Sequence, residues 1–415
     1  MKGKILRFLY LIGPGIFCIG YTIGTGSVTS MAKAGSIYGS QLLWVLLLSC
    51  LFSWALMEAF GRYAVVTGRT AINSFRTEFK YGKLMAILVI IGVTIGQMNS
   101  LSGIVGLTSN AIYEIVRLFF PSLNADNYWT ILGIAVTMLI VLYFILITGN
   151  YSLFEKVLIV FVTIMGISFF ISMFMVLPPP SEIVSGLIPS IPDEQGGKLM
   201  VAAFVGTTMA APTFVVRPLL MKGKSWDLQH VKDQSRDALI SASLMFAISG
   251  AIMITAMGAM FYKGLTIDRV IDMVNTLEPV AGKFAVALFM VGALSAGISS
   301  VFPILMVAPL LIADYKQGEL DTSSRLFKVL TAVACLLGMT IPVIGANPIA
   351  VQIASQIANV FVLPLVIAGI IYLVNNKNRM GKYKPGLFLN ILLATAFIFS
   401  CVISILGLQA LAALL

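Results

Sequence analysis

The sequence predicts an all-α integral membrane protein: two inverted five-helix repeats plus an eleventh helix, with helices 1 and 6 interrupted. Three observations lead there. The 415-residue chain is 59% hydrophobic and 11% charged, whereas soluble domains carry roughly 25% charged residues. Its length divides into about eleven apolar runs, each able to cross a hydrocarbon core of ~30 Å at about 1.5 Å per residue. Two of those runs are broken mid-way, at matching places in the two halves of the chain.

The spans are expected near Leu9–Ala34 (broken), Leu42–Tyr63, Leu84–Ile112, Tyr128–Ile147, Phe154–Val176, Leu199–Met221 (broken), Leu239–Tyr262, Phe284–Ala313, Leu326–Ile344, Ile349–Val374 and Leu387–Leu414. Asn73 to Tyr81 reads as a charged connector. Leu177 to Lys198 carries five prolines (178–180, 189 and 192), so it reads as an extended external loop. Trp226 to Asp237 is polar enough for a short surface helix. The fifth connection splits the first ten spans into two sets of five. Odd-numbered sets lie in the membrane with opposite orientation, as inverted repeats do. Their limits are expected near 9–176 and 199–374, with the extra helix near 387–414.

The net charge of +10 is distributed as membrane topology requires, which argues against a nucleic-acid partner. With the N-terminus cytoplasmic, the clusters Arg62-Arg69-Arg76-Lys80-Lys83, Lys222-Lys224-Lys232-Arg236 and Lys377-Arg379-Lys382-Lys384 all fall inside, the positive-inside bias. An odd span count then puts Leu415 outside, in a plasma or inner membrane. Lys2, Lys4 and Arg7 precede a run too long for a leader peptide, which reads as the first span. Cys18, Cys50, Cys335 and Cys401 lie in apolar runs and read as small core residues. The single histidine, His230, makes a His-based metal site improbable, and no cofactor is expected.

The breaks are Thr22-Ile23-Gly24-Thr25-Gly26-Ser27 and Gly206-Thr207-Thr208-Met209-Ala210-Ala211-Pro212-Thr213. Interrupted helices in corresponding positions mark the substrate site of secondary transporters. Irregular backbone at membrane depth must be enclosed by protein or line a cavity. Glycines let the chain leave helical geometry, Pro212 removes a donor, and Thr22, Thr25, Thr207, Thr208 and Thr213 offer hydroxyls. Carboxylates are scarce. Glu58 lies inside a span, with Arg62 at i+4 as its expected partner. Asp237 and Asp314 are placed at span ends, away from both breaks. Arg217, a turn past the second break, has two readings: it caps the half-helix, or it replaces a coupling cation or meets an anionic substrate. Gln97, Ser100 and Ser299 are polar-pathway candidates, and Gln356 is the leading cavity-lining candidate.

Along nearly its whole length the chain resembles the Nramp (natural resistance-associated macrophage protein) family of metal transporters. The resemblance rests on Gly13-Pro14-Gly15, on Gly35-Ser36-Ile37-Tyr38-Gly39 leading to Trp44, and on Tyr151-Ser152-Leu153-Phe154-Glu155-Lys156. It also rests on Gly186-Leu187-Ile188-Pro189 followed by Gly206-Thr207-Thr208, on Ser295-Ala296-Gly297-Ile298-Ser299-Ser300, on Ser355-Gln356-Ile357 with Leu363-Pro364, and on Arg379-Met380-Gly381. It implies a LeuT-type fold and divalent-cation transport. The functional motifs depart. The family's Asp-Pro-Gly-Asn reads Ile23-Gly24-Thr25-Gly26, so its metal-binding aspartate and asparagine fall on Ile23 and Gly26. Its Met-Pro-His-Asn aligns with Ala210-Ala211-Pro212-Thr213, within a slip of one residue. The sulfur ligand that favours softer metals becomes Ala210, unless Met209 substitutes. The next family histidine falls at Arg217, and the acidic pair of the third span falls near Gln97 and Ser100. The candidate substrate positions are therefore Thr22, Ile23, Gly24, Thr25, Gly26, Thr207, Thr208, Ala210, Thr213 and Gln356.

The expectation is a non-enzymatic, alternating-access transporter with a non-acidic site at the family's metal position. Transition-metal binding and proton coupling are expected to be lost, and a hydrated cation or a small organic or anionic solute remains as substrate. The rival is a non-transporting receptor or scaffold on the same fold. A membrane transferase would need clustered acids for a metal–phosphate substrate, and Asp268 with Asp272 are too sparse.

Overall fold

The computed structural model describes residues 13–412 apart from 121, 124–126, 149–150, 193–195, 269 and 320–321. Ten helical stretches among them are long and apolar enough to cross a membrane. An eleventh crossing is made by two shorter helices in series, α1 (Gly15–Thr22) and α2 (Thr25–Tyr38). The expected start of the first span at Leu9 lies outside the described residues.

The remaining helices follow the apolar runs. They are α3 (Leu43–Thr67), α4 (Ala71–Glu78), α5 (Gly82–Phe119), α6 (Tyr128–Ile147), α7 (Tyr151–Met175), α8 (Pro180–Ser185), α9 (Gly197–Thr208), α10 (Ala211–Gly223) and α11 (Val231–Met260). Then come α12 (Val270–Gln317, broken in direction at Gly282, φ +76°, so that its spanning part is Gly282–Gln317), α13 (Arg325–Gly338), α14 (Thr340–Ile344), α15 (Pro348–Val360), α16 (Leu363–Asn375), α17 (Lys377–Met380) and α18 (Leu387–Ala412). The paired α9–α10 span is 94% buried in its apolar window, whereas α6 is 22% buried. The broken helices therefore form the centre of the bundle, and α6 faces lipid. Around that centre α12 packs on α5 and α7, α11 on α2 and α3, and α15 on α5 and α9.

Four local expectations change. The connector at Asn73–Tyr81 holds helix α4, which buries Ala71, Ile72, Ser74 and Phe75. The Asp314 carboxylate anchors it, accepting from Thr70 Oγ1, from Ile72 N at 3.0 Å and from Asn73 N at 3.3 Å. Asp314→Ala is expected to cost about 1–3 kcal/mol, because buried donors lose their acceptor. The loss would be read as a lower Tm and faster proteolysis around α4. The proline-rich loop carries α8, opened by Pro180 in its first turn, and is pinned by Trp44 Nε1 donating to Ser190 O at 2.8 Å.

The polar stretch Trp226–Asp237 is a 3-10 turn at Leu228–His230, capped by Asp227, that runs straight into α11. That helix starts two turns before the expected Leu239. The tenth span is also interrupted, at Phe361–Val362 between α15 and α16. Pro364 has no N–H to donate back into α15 and sits in the first turn of the helix that follows.

Candidate substrate site between the helix breaks

Each central break is two residues long, narrower than the sequence suggests. Ile23 and Gly24 separate α1 from α2, with Gly24 extended at φ −84°, ψ −169°. Met209 and Ala210 separate α9 from α10. Thr25–Ser27 form the first turn of α2, and Gly206–Thr208 the last turn of α9. The two breaks meet. Thr22 O, at the end of α1, accepts from Ser27 Oγ at 2.7 Å and from Thr207 Oγ1 at 3.3 Å. The two hydroxyls lie 3.1 Å apart. Gly20 O accepts from Ser300 Oγ at 2.6 Å, and Thr208 O from Ser53 Oγ at 2.9 Å. A helix end leaves carbonyls unpaired, and in this bundle serines and threonines of neighbouring helices take them up.

A small polar cavity lies between the first break and α15, lined by Tyr21, Gly24, Gly26, Gln97, Ser100, Ile104, Thr207, Ile304, Gln352, Gln356 and Asn359. The space open to the centre of a water molecule is about 10 Å³, close to the minimum that holds one water. Its walls are carboxamides and hydroxyls in a chain. Gln97 Nε2 donates to Asn359 Oδ1 at 3.0 Å, Asn359 Nδ2 to Gln356 Oε1 at 3.3 Å, and Gln352 Nε2 to Ser100 Oγ at 3.0 Å. Gln352 Oε1 is buried with no partner among the described residues. Two glycines admit this wall: a Cβ on Gly26 would strike the Gln356 amide, and one on Gly206 would strike the Gln356 backbone carbonyl.

The structure thus brings Gly24, Gly26, Gln97, Ser100, Thr207 and Gln356 to one cavity. It leaves Thr22, Ile23, Thr208, Ala210 and Thr213 off its lining. Thr22, Thr208 and Thr213 are buried with hydroxyls unpartnered among the described residues, and Ile23 is fully buried in the apolar core. The Thr25 side chain lies outside the described residues. Met209 is buried but does not line the cavity, so no sulfur reaches it there. Ser299 donates to Ala296 O at 3.0 Å. No group of three metal-ligating His, Cys, Asp or Glu residues occurs among the described residues.

Asp237, expected at a span end, lies inside α11, and it supplies the partner of Arg217 that the sequence reading did not name. Both side chains have no exposure, and Arg217 Nη2 sits 2.7 Å from Asp237 Oδ2. Asp237 Oδ1 also accepts from Gly15 N at 3.2 Å, at the start of α1. Arg217 Nη2 further donates to Gln234 O at 3.1 Å, and its Nη1 reaches Cys18 Sγ at 3.9 Å. The pair ties α1, α10 and α11 together and does not line the cavity. Asp314 is likewise fully buried, in its anchoring role. Glu58 pairs with Arg62 as expected, at 2.5 Å, and also accepts from Gln234 Nε2 at 2.9 Å. At the other end, Lys33 Nζ bonds Asp268 Oδ1 at 2.9 Å, which holds that carboxyl below its ordinary range. Asn347 Nδ2 donates to Asp268 O at 2.9 Å, so α2 is tied towards the start of α15.

Paired helix breaks that meet at the centre of the bundle, with a polar pocket beside them, are the mark of the secondary-transporter class of membrane protein. Residues 15–410 match the model of the Natural resistance-associated macrophage protein-like family, and the chain belongs to that family. Its relatives include the divalent metal cation transporter MntH of Caldanaerobacter subterraneus subsp. tengcongensis, 23% identical over 92% of this chain and 88% of that one. Among solved structures it is similar to the Eremococcus coleocola manganese transporter bound to an aromatic bis-isothiourea compound. That likeness has a TM-score of 0.76 and 14% identity, over 98% of this chain and 86% of the other. It is also similar to Mhp1, a nucleobase-cation-symport-1 family transporter, with a TM-score of 0.62 and 15% identity over 96% and 90% of the chains. At such identities these two likenesses show the fold, which is of the LeuT type.

Proposed function

We propose that this chain carries a divalent cation across the membrane by alternating access, and that its pocket holds the ion with uncharged oxygens. The family supports the cargo, since its relatives are named as divalent metal cation transporters. One observation carries the rest: the pocket between the first break and α15 is lined by amides and hydroxyls, with neither carboxylate nor sulfur among the described residues. Affinity for a hard cation rises with the number of charged ligands, and softer metals favour sulfur ligands. The site therefore suits magnesium or calcium at low affinity over manganese or iron at high affinity. Space for about one water in the closed pocket speaks against a small organic solute. An anionic solute loses its expected counter-charge, because Arg217 is committed to Asp237.

In this reading the repeats at about 9–176 and 199–374 rock against each other, with the N-terminus cytoplasmic and the C-terminus external. No proton-coupling acid lines the pocket.

The test is uptake into proteoliposomes. Magnesium or calcium should enter with half-saturation at about 10⁻⁴–10⁻³ M, the range of weakly charged sites. Gln356→Ala should reduce uptake, and Gln356→Glu should tighten binding by at least about tenfold by adding a carboxylate. Micromolar manganese binding by the wild type would defeat the uncharged-site reading. Absence of uptake for every divalent cation would defeat the transport reading.

A further inference from the structure

We propose that the open groove between α6 and the rest of the bundle holds a single acyl chain of a membrane phospholipid. Such a site goes beyond the transport reading and stands whatever the cargo is.

The groove has a volume of about 690 Å³. Its walls include Ile112 of α5, Met138 of α6, Phe161 of α7 and Phe302 of α12, and along α6 it runs from Thr130 to Ile145. That stretch of helix is about 22 Å long, enough to take a chain through one leaflet of about 15 Å. Beside the groove Ile140, Val141 and Phe144 are exposed, so its mouth opens on the lipid-facing side of α6.

Gly133 keeps the space clear. A Cβ added there would meet nothing within 4 Å. A glycine inside a helix is destabilising, and membrane helices use small residues where a neighbouring backbone comes close. No neighbour comes close here, so the missing side chain serves the groove and not a helix contact. The surface asks for no water. Thr137 Oγ1 donates to Gly133 O at 2.8 Å, which spends that hydroxyl within its own helix. Apart from Thr130 the rest of the lining is apolar. An apolar cavity stays dry, and an empty one forfeits dispersion contacts along its whole lining. Hydrocarbon restores those contacts and leaves no polar group unpaired.

Size selects the occupant. Spread along the stretch of α6 that lines it, the volume has a cross-section of about 30 Å². A helix with its side chains is about 10–12 Å across, so the groove is too narrow for a helix of a second copy or of another protein. One hydrocarbon chain fits. It would lie against Phe302, whose ring meets that of Phe154 at 5.7 Å, and Phe154 meets Phe17 of α1 at 6.3 Å. A short aromatic column therefore separates the chain from the broken first span.

The test uses phosphatidylcholine with a photoreactive diazirine in one acyl chain. Purified protein in detergent is titrated with this probe, illuminated and digested, and the labelled residues are mapped. Labelling of Met138 and Phe161 is expected to saturate and to be displaced by excess unlabelled phosphatidylcholine. Labelling of Ile398 and Ile405, exposed on α18, should keep rising in proportion to the probe. Gly133→Leu should cut labelling of Met138 and Phe161 at least about fivefold, because a filled volume has no room for the chain. It should leave α18 labelling and Tm unchanged, since the new side chain enters open space. Thr137→Phe fills the same groove from the next turn and should do likewise. Labelling of the groove that rises without limit, as on α18, or that ignores both substitutions, overturns the proposal. So does a groove that the probe never labels because a second copy covers it, seen as a dimer by light scattering.

Discussion

Arg217→Met should be the most damaging single charge removal in the chain, lowering stability by about 3–5 kcal/mol. Arg217 and Asp237 are both without exposure and face each other at 2.7 Å. Removing one partner leaves an ionised group in a dry interior, where its desolvation goes uncompensated. Taking both away is a different experiment. Well-packed apolar replacements for a buried pair are often neutral, so Arg217→Met with Asp237→Leu should recover most of the loss. The residual should be about 1 kcal/mol, for the Gly15 amide that no longer has its acceptor. Thermal melts of the three variants in detergent decide it. A harmless single variant, or a double variant no better than the single, would show that the pair is not the joint between α1, α10 and α11.

The second large effect separates fold from function with two alanines. At Gly206 an added Cβ meets the backbone oxygen and carbon of Gln356. Backbone cannot step aside, so α9 and α15 must part, and overpacking of this kind costs about 1–3 kcal/mol or more. At Gly26 the Cβ meets the far end of the Gln356 side chain, with the Gln352 amide at 3.0 Å. A side-chain end can swing, and it swings into a pocket with room for about one water. Gly206→Ala should therefore lower Tm sharply. Gly26→Ala should melt close to wild type yet transport at least about tenfold more slowly, because the ion's space is gone. Equal Tm losses in the two variants, or normal uptake by Gly26→Ala, would contradict this placement of the pocket.

Much of this could be seen in the residues before any coordinates. Gly24 and Pro212 stand beside the two interruptions of long apolar runs, and both breaks lie within the stretches the sequence singles out. The amides of Gln97 and Gln356 stood out because polar groups are expensive in hydrocarbon. Asp237 was less visible. Lys232, Asp233 and Arg236 beside it suit a separate short surface helix, so the span is expected to begin only at Leu239. The helix starts at Val231, and Gln234, Asp237 and Ser241 form a buried stripe at three- and four-residue spacing. That stripe, and the need of Arg217 for a counter-charge, were the available signals. The third interruption, at Phe361–Val362, is marked in the sequence by Pro364, whose missing N–H is the physical signal for it. Which threonines line the pocket could not be read. Thr22 and Thr207 sit at the two breaks, and whether each hydroxyl meets the cavity or a carbonyl depends on helix rotation, which packing sets.

The neutrality of the pocket wall has an electrical consequence. In the proposed carrier no ionised side chain among the described residues lines the pocket, so the empty pocket itself contributes no charge to the return stroke. Each elementary charge crossing the membrane field is worth about 2.3 kcal/mol per 100 mV. A divalent cargo brings about twice that, all of it on the loaded stroke. A negative-inside potential would then pull the occupied carrier inward and leave the vacant one to reset by thermal motion alone.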